Sequence, residues 1–207
     1  MLLPPAELPE FFGQIDIYLF DQLLKGRLTP GMRMLDAGSG AGRNLPYFLR
    51  HGFDVCAVDA TPGAVEQVRQ LAAELAPRLP ATNFRVEALE RLSFPDGDFD
   101  AVIASAVLHF ARDEPHFRAM VAELWRVLRR GGLFFARLAS SIGIEARVRP
   151  LGGGRYHLPD GSDRFLVDEA LLAGLATRLA ASPLEPLKTV NVENQRCMTT
   201  WCLRKGR

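Results

Sequence analysis

The sequence predicts an α/β protein: a doubly wound, mostly parallel sheet of seven strands that finishes in an antiparallel hairpin. Three observations carry this. Apolar runs of strand length alternate with helical periodicities from residue 33 to residue 138. Residues 99–106 are nearly all apolar, as expected of a central parallel strand covered on both faces. Two extended runs, 184–192 and 198–204, are separated by little more than Glu193-Asn-Gln-Arg196, a gap of hairpin length.

The elements follow in order. Phe11, Ile15, Leu19 and Leu23 recur every four residues, which predicts one amphipathic helix stopping at Gly26. Thr29-Pro-Gly31 is a turn, and the first strand covers about 33–36. The next helix starts near Gly42, carries Leu45, Phe48 and Leu49, tolerates Pro46 in its first turn and ends at Gly52. The second strand covers about 54–58. Thr61 then reads as an N-cap with Pro62 at the first helical position. Val65, Val68, Leu71 and Leu75 share that helix's apolar face, and it ends before Pro77. Phe84, Val86 and Ala88 alternate as a third strand, and Phe94-Pro-Asp-Gly97 turns into the fourth. Residues 114–130 form the clearest helix, with Phe117, Val121, Leu124 and Leu128 on one face and Gly131-Gly132 as its end. The fifth strand is 133–138. Residues 140–164 are Gly- and Arg-rich without a period, which predicts a long irregular insertion. Asp168 caps a helix bearing Leu171, Leu172, Leu175 and Leu179, and the hairpin strands complete the chain. Helices on both faces of such a sheet give a three-layer α/β/α, Rossmann-like arrangement.

Composition narrows the function classes. The chain has 207 residues, enough for one domain, and no internal repeat. A net charge of +1 gives no reason to expect nucleic acid, and Arg147, Arg149 and Arg155 read as a solvated patch. Cys56, Cys197 and Cys202 form no closed disulfide set and no C-x-x-C pair, which suggests small buried side chains in a reducing compartment. Met1-Leu-Leu-Pro-Pro5 lacks the features of a signal peptide, and no run of 18 apolar residues exists, so a cytoplasmic protein off the membrane is expected. The His and acidic residues are scattered, so no metal site is expected.

The most informative stretch is the glycine-rich turn after the first strand. Gly38, Gly40 and Gly42 alternate with Ala37, Ser39 and Ala41, behind Asp36. Glycine accepts positive φ and lacks a Cβ, so such a backbone can bend sharply and approach a ligand closely. Asp59 ends the second strand 21 residues after Gly38, a distance at which a carboxylate can reach back to ribose hydroxyls. A nucleoside cofactor suits these parts. The dinucleotide fingerprint requires a third glycine where this chain has Arg43, so the pyrophosphate-binding pattern is broken.

The spacing D-x-G-x-G-x-G, with Asp59 after it, resembles the first motif of class I S-adenosylmethionine-dependent methyltransferases. The stretches from Phe94 to Phe110 and from Glu123 to Phe135 are similar to the family's segments ending strand 4 and preceding strand 5. Together these stretches resemble the bacterial small-molecule methyltransferases, to which the tellurite-resistance and ubiquinone-biosynthesis types belong, and the terminal hairpin is similar to the family architecture. The resemblance implies S-adenosylmethionine as cofactor. It implies that Asp36, Gly38, Ser39 and Gly40 underlie its methionine part, that Asp59 holds its ribose, and that Ala60 and Thr61 pass beside its adenine. Where family members often carry an Asp for the adenine amino group this chain has Ala88, which leaves Leu89 or Glu90, by backbone or side chain, to fill the role, and Ser105 borders the methionine chain. The D-P-P-Y-like tetrad of nucleobase amino methylation is absent; the chain reads Ala104-Ser-Ala-Val107.

Methyl transfer from a sulfonium mainly requires alignment of the acceptor, with a general base only where the acceptor must lose a proton. His109, just after strand 4, is the candidate base, with a structural histidine as the other reading. Tyr18 on the first helix and Arg155 and His157 in the insertion are candidate acceptor contacts. Arg43, at what reads as a helix N-terminus, needs an offsetting negative charge: the cofactor carboxylate, Asp36 or Asp59. His51 suits the helix end before Gly52, and His116 lies on a polar helix face, so neither needs a role. Residues 1–28 are expected to form a helical cap and 140–165 to line the acceptor site of a single domain. The partner is then a small-molecule acceptor, and the protein a monomer or homodimer. An NAD-type oxidoreductase and a non-catalytic binding module are the alternatives.

Overall fold

The computed structural model describes residues 8–206. Its main sheet contains β1 (Arg33–Ala37), β2 (Asp54–Asp59), β3 (Phe84–Val86), β4 (Phe99–Ser105), β5 (Leu128–Ser140), β10 (Lys188–Val192) and β11 (Arg196–Lys205). Their order is β10-β11-β5-β4-β1-β2-β3. The five strands from β3 to β5 run parallel, and β11 pairs antiparallel with both β5 and β10. An eighth short strand, β9 (Ala181–Pro183), pairs with the far end of β11.

Alternation along the strands builds two cores. Ala101, Ile103, Leu133 and Phe135 point to the face packed by Leu19, Phe48, Val65 and Val68. These come from α2 (Ile17–Leu24), α3 (Pro46–Arg50) and α4 (Pro62–Leu75). Val102, Ala104, Phe134 and Ala136 point to the opposite face, against Phe117, Leu124, Leu172 and Leu175 of α5 (Glu114–Val127) and α6 (Glu169–Arg178). Central strands buried on both faces therefore read as continuous apolar runs. The hairpin reverses at Glu193 and Asn194, both at positive φ, with the Gln195 N–H donating to the Val192 carbonyl at 2.8 Å.

Several elements depart from the expectation. The four-residue repeat at the start spans two helices, α1 (Leu8–Phe12) and α2. Gly13 breaks it at φ +65, where a Cβ would lie 2.7 Å from Pro46 Cγ. Asp16 then caps α2, accepting from the Tyr18 N–H at 2.9 Å. Residues 1–7 of the expected cap lie outside the described residues. The helix after the glycine turn starts at Pro46, not near Gly42, so Arg43 sits in a turn. The third strand stops at Val86, which leaves Ala88 in a loop. α5 gives way to β5 at Leu128, and Gly131-Gly132 lie inside β5 beside a register irregularity against β4. A Cβ on Gly132 would meet Asp100 O at 2.9 Å, so the glycine there serves strand packing.

The insertion is not irregular. It folds as a three-stranded antiparallel sheet, β6 (Arg149–Gly152), β7 (Arg155–His157) and β8 (Asp163–Phe165). Gly152, Gly153 and Gly154, all at positive φ, turn the first corner. No helix among the described residues is long and apolar enough to cross a membrane.

Candidate functional site

β1 lies between β2 and β4, and the chain leaves β1 and β4 toward opposite sides of the sheet. Ligand crevices form at such a reversal, beyond the C-terminal ends of the strands. A cleft of about 740 Å³ opens there. Its walls include Gly38, Ser39, Gly40, Arg43, Asp59, Ala60, Thr61, Ala88, Leu89 and Ser105, ten of the eleven residues expected to hold a cofactor.

The glycine loop meets different demands at each position. The Gly38 N–H donates to the Val58 carbonyl at 2.8 Å. Its φ is +72, and a Cβ would lie 2.2 Å from Val107 Cγ2, so the loop after β4 fits only against a bare backbone. Gly40, at φ +52, has no atom within 4 Å of a hypothetical Cβ; its missing side chain leaves open space in the cleft. Asp59 braces this loop: one oxygen accepts from the Gly40 N–H and the other from the Thr61 N–H, both at 2.9 Å. Each carboxylate oxygen retains a further lone pair.

Asp36, the eleventh residue, is not in the wall of the cleft: it is the penultimate residue of β1, next to the glycine loop, and is only 1% exposed. Its Oδ2 has no hydrogen-bond partner among the described residues. Burial pushes its carboxyl up to about 7; Arg43 opposes that rise and Asp59 adds to it.

Arg43 finds its ion-pair partner elsewhere than expected. Its Nη2 donates to Ser105 Oγ at 3.1 Å and lies 3.9 Å from Asp16 Oδ2, not against the carboxylate of Asp36 or Asp59. The Asp16 carboxylate is fully buried and also accepts from Arg137 Nη1 at 2.8 Å. The Asp16 N–H donates to Asn44 Oδ1 at 2.9 Å, which ties the entry to α2 to the glycine loop. One buried carboxylate thus holds two guanidiniums, Arg43 in the wall of the cleft and Arg137 of β5, which pairs with the end of β4.

The candidate base stands in a second cavity, not in the cleft. This cavity, of about 280 Å³, touches the cleft at Ala106, which borders both. His109 follows on a short 3₁₀ turn, Leu108–Phe110, and is 7% exposed. Its Nδ1 accepts from the Ala139 N–H at 3.3 Å, which assigns the proton of the neutral ring to Nε2. Burial pushes the imidazole down to about 4, and Arg164 acts in the same direction. At neutral pH the ring is thus an uncharged donor. Ala106 holds φ +64, an uncommon conformation for a residue with a Cβ, with its N–H donating to the Arg137 carbonyl at 2.7 Å.

The three candidate acceptor contacts are not brought to either cavity. Tyr18 borders a shallow depression with Ile17, Phe20 and Lys188, and its ring carries the Arg137 guanidinium at 5.3 Å. Arg155 Nη1 donates to the Ala111 carbonyl at 3.2 Å, a structural contact. His157 Nδ1 lies 2.7 Å from Asp163 Oδ1 across the β7–β8 pair. Conversely, His116 borders the cleft: its Nδ1 accepts from the Arg112 N–H at 3.1 Å, and its Nε2 lies 3.2 Å from Glu90 Oε1 without hydrogen-bond alignment. Asp16, Asn44, Phe110 and Arg137 also escaped sequence reasoning. The signal for Asp16 was present as an N-cap residue ahead of an apolar helix. No group of three metal-ligating side chains occurs among the described residues.

Residues 35–136 match the family model described as a methyltransferase domain. The chain is 34% identical over 116 residues to a malonyl-[acyl-carrier protein] O-methyltransferase of Serratia marcescens, covering 56% of this chain and 42% of that protein. It is 36% identical over 110 residues to a ubiquinone biosynthesis O-methyltransferase of Methylocella silvestris, covering 53% and 41%. The chain thus spans less than half the length of these curated relatives. Among solved structures it is similar to a Burkholderia thailandensis 1,6-didemethyltoxoflavin-N1-methyltransferase with bound S-adenosylhomocysteine. That likeness has a TM-score of 0.68 at 20% identity, over 100% of this chain and 92% of the other.

Proposed function

From the methyltransferase-domain match over residues 35–136 and the fold shared with solved methyltransferases, we propose that this chain transfers a methyl group from S-adenosylmethionine to a small-molecule acceptor. The observation that carries the reading is Asp59, braced against the Gly40 N–H at the reversal of the sheet, with open space above the glycine. A carboxylate so placed accepts the two ribose hydroxyls with its remaining lone pairs. Bound there, the cofactor supplies a methyl group on a positively charged sulfur, an activated leaving group.

The chain's own residues bind and orient. Gly38 and Gly40 keep side chains out of the loop that underlies the cofactor's methionine part. Arg43, beside Ser105, offers a guanidinium to a carboxylate in the cleft. Leu89 and the exposed Ala88 flank the adenine end, with Ala60 and Thr61 opposite. The acceptor enters from the second cavity, which the insertion walls with Leu158, Asp160, Ser162 and Arg164. His109 acts there as a hydrogen-bond donor that orients the acceptor, not as a base, since its Nδ1 is occupied. Alignment of this kind supplies up to roughly 7–11 kcal/mol of barrier reduction in well-oriented reactions. A reducing, cytoplasmic setting fits Cys56, Cys197 and Cys202, all buried and free.

Mass spectrometry of the purified protein, followed by a methylation screen against a metabolite pool, tests the proposal. Co-purified S-adenosylmethionine or S-adenosylhomocysteine and acceptor-dependent formation of the latter are expected. Binding of NADH in place of S-adenosylmethionine would overturn it.

A further inference from the structure

The smaller cavity has a chemical character of its own. Three guanidiniums border it: Arg137 from β5, Arg164 from β8 and Arg196 from β11. Asp160 is the one carboxylate in its wall. The Asp160 Oδ1 is engaged by Ser162, accepting from the N–H at 3.0 Å and from the hydroxyl at 2.6 Å. Arg137 is matched by Asp16. Arg164 and Arg196 have no carboxylate within 4.0 Å among the described residues. Arg164 Nη1 donates only to the Asp163 carbonyl, at 2.8 Å, while its guanidinium lies 5.0 Å over the Phe110 ring.

Arg196 is exposed and Arg164 half-buried, and Asp160 is the acidic group that feels both charges. Like charges converge on a concave, partly apolar wall that includes Leu158, Ala139 and Met198, and such walls concentrate the field. The remaining polar groups, His109 and Ser162, supply neutral donors. His109 has its Nδ1 committed to Ala139, so it presents Nε2–H. The cavity therefore offers two guanidiniums without a direct ion pair and one neutral donor, against a single carboxylate, Asp160, whose Oδ1 Ser162 engages. That set complements an oxyanion, since a guanidinium matches a carboxylate or phosphate in both charge and bidentate geometry.

We propose that the smaller cavity takes the anionic group, a carboxylate or phosphate, of the methyl acceptor, gripped by Arg164 and Arg196 beside His109. The assignment of this group to an acceptor rests on the methyl-transfer reading of the adjoining cleft, which Ala106 joins to the cavity. Arg164 and Arg196 are then specificity-determining residues. They come from the insertion and the terminal hairpin, so neither the glycine loop nor the family-matched segment 35–136 contains them.

Calorimetric titration of S-adenosylhomocysteine-saturated protein with succinate, neutral succinamide and inorganic phosphate tests this. Succinate or phosphate is expected to bind and succinamide not to bind. The R164Q/R196Q variant is expected to lose about tenfold or more in affinity for the anion, with S-adenosylhomocysteine affinity within about twofold of wild type. R147Q/R149Q, which removes two exposed arginines of the same insertion, is the charge-matched control and is expected to bind the anion as wild type does. Stronger binding of phosphate assigns the group to a phosphate, and stronger binding of succinate to a carboxylate. Equal binding of succinate and succinamide, or unchanged affinity in R164Q/R196Q, overturns the proposal. If the double variant fails to fold, R196Q at the exposed hairpin position carries the same test. Failure of S-adenosylhomocysteine to bind wild type would instead sink the cofactor reading, and the anion titration on the same protein still reads the cavity.

Discussion

The two cavities are made of different material. The larger cleft is shaped by backbone: three glycines at positive φ, a braced aspartate and the ends of β1, β2 and β4. The smaller cavity is shaped by side chains from β5, β8, β11 and the 3₁₀ turn at His109, which meet only after the sheet has assembled. A backbone-built site tolerates little change and recurs wherever its local motif recurs. A side-chain-built site is free to vary with the acceptor.

Breaking the cleft is expected to give the largest effect. Gly38→Ala would force a Cβ against Val107 at a φ of +72. A loss of roughly 3–5 kcal/mol in urea denaturation is expected, together with lost S-adenosylmethionine binding. Gly40→Ala separates strain from occupancy, because its Cβ meets nothing. Stability should fall by only about 1 kcal/mol, while cofactor affinity falls steeply. Equal destabilisation by the two variants would contradict the distinction.

Asp36 gives a pH-dependent effect. Its unfolded carboxyl ionises near 3.8, whereas burial holds the folded one up to about 7. Its contribution to stability is therefore full below pH 3.8, is lost as the pH rises through 7, and is flat above. Asp36→Asn removes that loss, so the variant should gain on wild type between pH 4 and pH 7, by on the order of 4 kcal/mol at most. A constant difference across that range would place the carboxylate outside the buried site.

These expectations also explain what was legible. Each demand of the cleft writes a residue type into one contiguous stretch, so the glycine loop and Asp59 could be read directly. The parallel order, the helices on both faces and the hairpin were equally readable, because burial on two faces leaves continuous apolar runs. The break in the first helix was hidden: Phe11 and Leu19 keep a helical spacing although Phe11 meets Tyr47 and His51 edge to face while Leu19 enters the core. The insertion strands Arg155–His157 and Asp163–Phe165 are three residues long, too short to show alternation. Arg155 and His157 were singled out by composition, yet tertiary pairing commits them to neighbours. Arg137, Arg164 and Arg196 carry no shared local pattern, since only the assembled sheets bring them together.

The smaller cavity has milder tests. With the imidazole held near 4, the pH profile of kcat/KM should show no limb from His109 between pH 5.5 and 8. A limb near 6.5 that disappears in His109→Gln would restore the histidine as the base. Smallest of all is Ala106→Gly at the junction. Relief of the αL conformation, about 1 kcal/mol, is offset by glycine's unfolded-state entropy, so stability should change by about 0.5 kcal/mol or less. A larger loss would show that the Ala106 methyl group packs as a partition between the cavities.

The central claim is that a backbone-built cleft, closed by Asp59, holds S-adenosylmethionine. Titration calorimetry of wild type and Asp59→Ala tests it most directly. The account predicts one site in wild type and an affinity at least about tenfold weaker in the variant, with secondary structure unchanged. Equal affinity in the two proteins would contradict it.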